Sequence, residues 1–225
     1  MKIGIESNII RSFLKNVYFI NGTAYAGKST MVHMLAEKYG LIECGENWHD
    51  RYCENVITPE LQPGLGYFQT KKSWQEFVNR TPNEYERWAD ETSMECAEIE
   101  IAALIELSHK GKIIADTNIP IHMLKEISDY NHVAIMLSPQ SMSVDKFFER
   151  SDPEKQFLLN IIGQAENPEK TMANFKACIA RLNDKRRYDE LANSGFFTLV
   201  RENAQKDTRK ETFEILSKHF NLQSK

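Results

Sequence analysis

The residues Gly22-Thr23-Ala24-Tyr25-Ala26-Gly27-Lys28-Ser29 fill every fixed position of the pattern G-x-x-x-x-G-K-[ST]. Each fixed position has a physical task if the segment is to hold a string of phosphates. Gly22 and Gly27 let the backbone turn tightly with its N–H groups aimed inward, and a helix starting near Lys28 adds its positive dipole end to the same anion hole. Lys28 is long enough to reach β- and γ-phosphates, and the Ser29 hydroxyl suits Mg²⁺, which binds substrate phosphate oxygens and keeps several waters. Average residue frequencies put a chance match at on the order of one chain of this length per hundred. Residues 22–30, including Thr23, Ala24, Tyr25, Ala26 and Thr30, are therefore the expected cradle for ATP or another nucleoside triphosphate. Lys28 is its expected catalytic cation and Ser29 an expected metal ligand.

A second chemical group is Asp116, which closes the apolar run 112–115. Acidic groups at strand carboxyl ends face the ligand crevice of α/β sheets. There a carboxylate could orient Mg²⁺-bound water or accept a proton, so Asp116 is expected to be both metal-associated and catalytic. Asn118 could assist it.

Such a cradle needs a buried strand leading into it and a helix leading out. Residues 17–20 form a β-branched and aromatic run that stops at Asn21-Gly22, and residues 29–39 carry apolar Met31, Val32, Met34, Leu35 and Tyr39 at helical spacing before Gly40. A second strand is expected at 41–44. The stretch 45–69, with Pro59, Pro63, Gly64 and Gly66, reads as loop. A long helix with room for one break is expected at 83–110, followed by interior strands at 112–115 and 133–137. Helices are expected at 143–150, 153–163 and 168–193, then a strand at 196–200 and a helix at 208–220. The alternation implies an α/β fold, a three-layer αβα sandwich around a roughly five-stranded parallel sheet, because parallel crossovers place helices on both faces.

Length and composition agree with one domain over 1–225: the chain is 41% hydrophobic and 27% charged. With 28 Lys+Arg against 32 Asp+Glu, the formal charge of -4 gives no global attraction to nucleic acid or anionic membranes. Cys44, Cys53, Cys96 and Cys178 form no Cys-x-x-Cys pair, and the opening lacks the charged flank and apolar core of a secretory leader, so reduced thiols in a cytoplasm are expected. No apolar run approaches the ~20 residues of a membrane span.

With these elements placed, the layout resembles the P-loop kinases of the nucleoside monophosphate kinase and shikimate kinase group. The resemblance covers most of the chain, through the motif near the N-terminus, LIECGENWHDR at 41–51 and IIADTN at 113–118. It implies a small-molecule phosphotransferase with an acceptor pocket inserted at about 45–95 and a helical lid at about 140–165. Within that pocket Glu46 or Asp50 would carry the base for a hydroxyl acceptor, whereas Arg51 would bind a phosphate or carboxylate of the acceptor by bidentate hydrogen bonds. Arg150 is the lid cation that the resemblance implies, with Arg181, Arg186 and Arg187 as alternatives that read more simply as a charged helix face. Arg201, after the last strand, would flank the nucleotide base. Trp48 and His49 read as packing residues, as do most of Tyr67, Phe68, Trp74, Phe77 and Trp88. The acceptor (nucleotide, nucleoside, sugar or small acid) stays open, as do ATP against GTP and the oligomeric state. The alternatives are a simple NTPase, or a regulatory protein in which nucleotide orders loops without turnover. A guanine-specific switch is disfavoured by the lack of Asn-Lys-x-Asp.

Overall fold

The computed structural model describes residues 4–139, 142, 144, 147–149, 153–201 and 206–223. Five short strands, β1 (Val17–Gly22), β2 (Ile42–Cys44), β3 (Ile113–Asp116), β4 (Val133–Leu137) and β5 (Phe197–Val200), form one parallel sheet of order β2-β3-β1-β4-β5. The three inner strands are apolar at nearly every position because both of their faces are covered. Val17, Phe19, Ile113, Ala115, Val133, Ile135 and Leu137 enter one core, and the alternate residues Tyr18, Ile20, Ile114, Ala134 and Met136 enter another.

Helices fill both faces. On the second lie α2 (Lys28–Tyr39), through Met31, Val32 and Leu35, and the last helix, Arg209–His219 (α11), through Leu216. The first face receives Leu104 and Leu107 of a 27-residue helix, α6 (Pro82–Ser108), and Ile121, Leu124 and Ile127 of α7 (Ile121–Ile127). The fold is thus a mixed α/β architecture around a five-stranded parallel sheet, consistent with a three-layer sandwich. No helix among the described residues is long and apolar enough to cross a membrane.

At 1.5 Å per residue α6 runs about 40 Å, longer than the sheet it packs on. A capping box starts it: the Thr81 hydroxyl accepts from Glu84 N, the Glu84 carboxylate accepts from Thr81 N at 2.8 Å, and Pro82 opens the first turn. Its first half leaves the sheet and enters a third, helical core. There Phe77 of α5 (Trp74–Val78), Tyr85, Ile162 of α8 (Pro153–Gly163) and Phe175 of α9 (Pro168–Leu182) meet. Phe68, Trp74 and Trp88 surround Phe77 at ring separations of 5.0–6.0 Å, the geometry of aromatic packing.

The differences from the sequence expectations are local. The expected helix 168–193 is two helices, α9 and α10 (Lys185–Ala192), because Asp184 breaks the run: its carboxylate caps Arg187 N at 2.9 Å. The expected loop 45–69 contains α3 (Asp50–Val56) and a single turn, α4 (Tyr67–Thr70); α3 buries Cys53 alone, so no periodic signal announces it. The opening forms α1 (Ser7–Phe13), and α6 is unbroken. The expected helix 143–150 lies mostly outside the described residues.

Candidate functional site

β1 is the central strand, with β3 on one side and β4 on the other, so the loop leaving its carboxyl end emerges where the connections diverge. Gly22 pairs with Met136 of β4 at φ 138°, and a Cβ there would stand 1.8 Å from the Met136 carbonyl oxygen. Only glycine fits that approach. Thr23 N then donates to Met136 O at 3.0 Å. Ser138 N donates to Thr23 Oγ1 at 2.8 Å and Ser138 Oγ to Ala24 O at 2.7 Å, which leaves the Thr23 hydroxyl to donate to Ser138 Oγ at 3.1 Å. These bonds anchor the loop's first residues to the end of β4.

The loop turns through positive φ at Tyr25 (64°) and Gly27 (90°) before α2 begins at Lys28. No side chain caps α2 and no acidic residue lies in its first turn, so the negative charge at its positive dipole end comes from outside the helix. Arg201, following β5, donates from Nη1 to Tyr25 O at 3.2 Å and ties the loop to the sheet's other edge.

Lys28, Ser29 and Asp116 converge. Lys28 Nζ lies 3.3 Å from Thr23 O and 3.8 Å from Asp116 Oδ1, and Ser29 Oγ donates to Asp116 Oδ2 at 2.8 Å. Burial raises the Asp116 pKa; Lys28 and the Ser29 hydrogen bond oppose that rise, and Glu46 and Glu100 add to it. Glu46 is exposed, with Oε2 3.5 Å from Ser29 Oγ. The described residues hold no group of three or more His, Cys, Asp or Glu side chains able to cage a metal. A cation beside Ser29 and Asp116 would complete its shell with water and ligand oxygens, the habit of Mg²⁺. The inward-turned backbone, the uncapped helix and Lys28 likewise suit a polyphosphate.

Two clefts open beside this loop. The larger, about 670 Å³, runs from Gly22, Thr23 and Ala24 across the middle of α6 to α10, with Asn118, Arg186 and Arg187 on its walls. The smaller, about 350 Å³, lies between Ala26, Gly27, Thr30 and the residues before α11, and includes Arg201. There Asp207 and Arg209 form a fork, with Nη2 donating to Oδ2 at 2.6 Å; the guanidinium holds the Asp207 carboxyl down at about 2.

The remaining expected residues are scattered. Asp50 and Arg51 begin α3 on the exposed surface; the Arg51 guanidinium stacks 4.9 Å from the Tyr52 ring, and neither residue lines the large cleft. Arg150 lies outside the described residues. Arg181, Arg186 and Arg187 all pair with Glu86 of α6, at 2.8, 2.6 and 3.2 Å, and Arg187 also reaches Asp90 at 2.7 Å. They form a cationic cluster tying α9 and α10 to α6 rather than a freely solvated face.

Two cleft residues stand apart from the sequence reading, which took His49 as packing and did not single out Glu100. His49 and Glu100 meet at 2.8 Å, Nδ1 to Oε1, and both line the large cleft. Glu100 is 2% exposed on the apolar face of α6, between Ala97, Ile101 and Leu104. A carboxylate on the buried stripe of an amphipathic helix is the sequence signal that could have found it. Comparisons with protein-family models, with curated proteins and with solved structures return no match.

Proposed function

We propose that this chain is a P-loop kinase that transfers a phosphoryl group from ATP, or another nucleoside triphosphate, to a small-molecule acceptor. The observation that carries the reading is the convergence of Lys28, Ser29 and Asp116 under a glycine-bounded loop with a cleft on either side. In this reading the triphosphate lies on residues 22–30 and its base occupies the smaller cleft beside Arg201. The acceptor enters the larger cleft, and the lid that the resemblance implies at about 140–165 falls partly outside the described residues. The protein works in the cytoplasm.

Catalysis in such a site is mostly alignment and charge neutralisation. Lys28 would leave its present partners, Thr23 O and Asp116, for the β- and γ-phosphate oxygens. Backbone N–H groups of the loop and the start of α2 hold the remaining charge. Ser29, with help from Asp116, would hold a Mg²⁺, which would further neutralise phosphate charge. Arg186 and Arg187, already at the cleft, can exchange a carboxylate of Glu86 or Asp90 for an anionic group of the ligand.

The test is phosphorylation of a broad metabolite pool with Mg·ATP, using Lys28→Ala as the blank. Acceptor-dependent ATP loss that vanishes in the blank is expected. Hydrolysis without any acceptor would move the assignment to an NTPase, and nucleotide affinity without turnover would move it to a regulatory protein.

A further inference from the structure

The strongest unassigned feature beside the loop is the buried pair of His49 and Glu100. Trp48 Nε1 donates to Asp116 O at 3.2 Å, so the turn carrying His49 is fastened to the carboxyl end of β3. The next residue, Thr117, donates its hydroxyl to Glu100 Oε2 and accepts from Ile119 N at 3.0 Å. Glu100 therefore has one oxygen committed to the loop after β3 and the other turned to His49 Nδ1. Asn47 at φ 57° shapes the turn that presents the ring. A carboxylate this buried is costly unless its charge is answered, and the imidazole, with its proton on Nδ1, places an N–H against it at 2.8 Å while leaving Nε2 basic.

We propose that His49, oriented by Glu100, is the base that takes the proton of a hydroxyl acceptor in the large cleft, so that the substrate is an alcohol and the product a phosphate monoester. This deepens the kinase reading and rests on it. Nδ1 faces Glu100 Oε1 at ion-pair distance, and Nδ1 makes no hydrogen bond of regular geometry among the described residues. That leaves Nε2, 3.5 Å from Asp50 Oδ1, whose side chain is 65% exposed and free to yield its place to a hydroxyl. The acceptor O–H gives its proton to Nε2 as its oxygen bonds to the γ-phosphorus. The bond from that phosphorus to the β,γ-bridging oxygen breaks, and its electron pair leaves with ADP. A phosphate or carboxylate acceptor, already ionised at neutral pH, would need no such base.

Burial alone would lower the His49 pKa, but Glu100 and Asp50 outweigh it and raise it above the ordinary 6.5. The other charged or titratable groups lining the cleft are Asp90, Cys96, His122, Arg186, Arg187, Tyr188 and Glu190. Glu100 is a positioning residue, acting through His49.

The experiment uses the full chain with Mg·[γ-³²P]ATP and two acceptor pools, one of sugars, polyols and nucleosides, the other of nucleoside monophosphates and simple carboxylic acids. Label is expected in the first pool as a monoester that survives mild acid. His49→Gln should cut kcat on the order of 10²-fold with the KM for ATP unchanged. It should also abolish an acid limb of kcat/KM centred above 6.5. Glu100→Gln should move that limb, and the His49 imidazole titration followed by NMR, to lower pH, which a merely structural role would not do. Label confined to the second pool, or full activity in His49→Gln, overturns this proposal and leaves the kinase reading intact. No labelled product from either pool overturns both.

Discussion

Gly22→Ala makes the fold's most demanding contact measurable. The added Cβ would lie 1.8 Å from Met136 O, 2.7 Å from Met136 C and 2.8 Å from Met136 N, all backbone atoms of a buried strand. Relieving the overlap means separating the ends of β1 and β4 by more than an ångström. That breaks the hydrogen bond from Thr23 N to Met136 O and the exchange between Thr23 and Ser138. Lost hydrogen bonds at about 1 kcal/mol each, added to the strain of a side chain at φ 138°, put the cost at about 3–5 kcal/mol. Against a typical domain stability of about 5–15 kcal/mol, that is a large share. Gly27→Ala supplies the control: nothing lies within 4 Å of its Cβ, so φ 90° alone is penalised, at about 1–2 kcal/mol. Urea unfolding of the wild type and both variants, followed by circular dichroism, reads the difference. If Gly22→Ala unfolds within 1 kcal/mol of wild type, or Gly27→Ala costs as much as Gly22→Ala, the steric argument fails.

Thr81→Ala removes the hydroxyl half of the α6 capping box and should cost about 1 kcal/mol in the same assay. Glu86 is itself penalised by burial, but Arg181 and Arg187 hold its pKa below the ordinary 4.5. Its contribution to stability is therefore present above that value and lost as pH falls through the lowered one; Glu86→Gln should be less stable at pH 7 and converge on wild type as pH falls through the lowered pKa, measured by thermal melts. Asp116 has the opposite sign: its pKa is raised, so the folded state holds its proton more tightly and loses stability as pH rises from 3.8 through the raised value. Asp116→Asn should accordingly melt higher than wild type at pH 7, with the gain vanishing below pH 4, while phosphoryl transfer is lost.

The central strand, its loop and α2 were legible because three requirements coincide there: an apolar run buried on both faces, glycines where the backbone closes on Met136 and turns through positive φ, and a helix with regular inward residues. The inner strands 113–116 and 133–137 were equally plain, since every one of their residues is buried. Short elements were not. α3 buries one residue, and the end of α9 depends on whether Asp184 caps a new helix or stays within the old one, a choice settled by contacts with α6. The site divides in the same way. Lys28, Ser29 and Asp116 are brought together by strands whose order a sequence can suggest. The pairing of His49 with Glu100 spans 51 positions, with α3, α4 and α5 between them. The three guanidiniums on Glu86 likewise meet their partner across about a hundred residues.

The central claim is that a nucleoside triphosphate lies on residues 22–30. The most direct measurement is an amide NMR titration of the ¹⁵N-labelled full chain with Mg²⁺ and a non-hydrolysable ATP analogue. Saturable shifts largest at residues 22–30, with smaller ones at Arg201 and Asp116, are the expected result, and in Lys28→Ala the affinity should fall at least tenfold while the fold is retained. Shifts that never saturate, that concentrate away from this loop, or that persist at equal affinity in Lys28→Ala would contradict it.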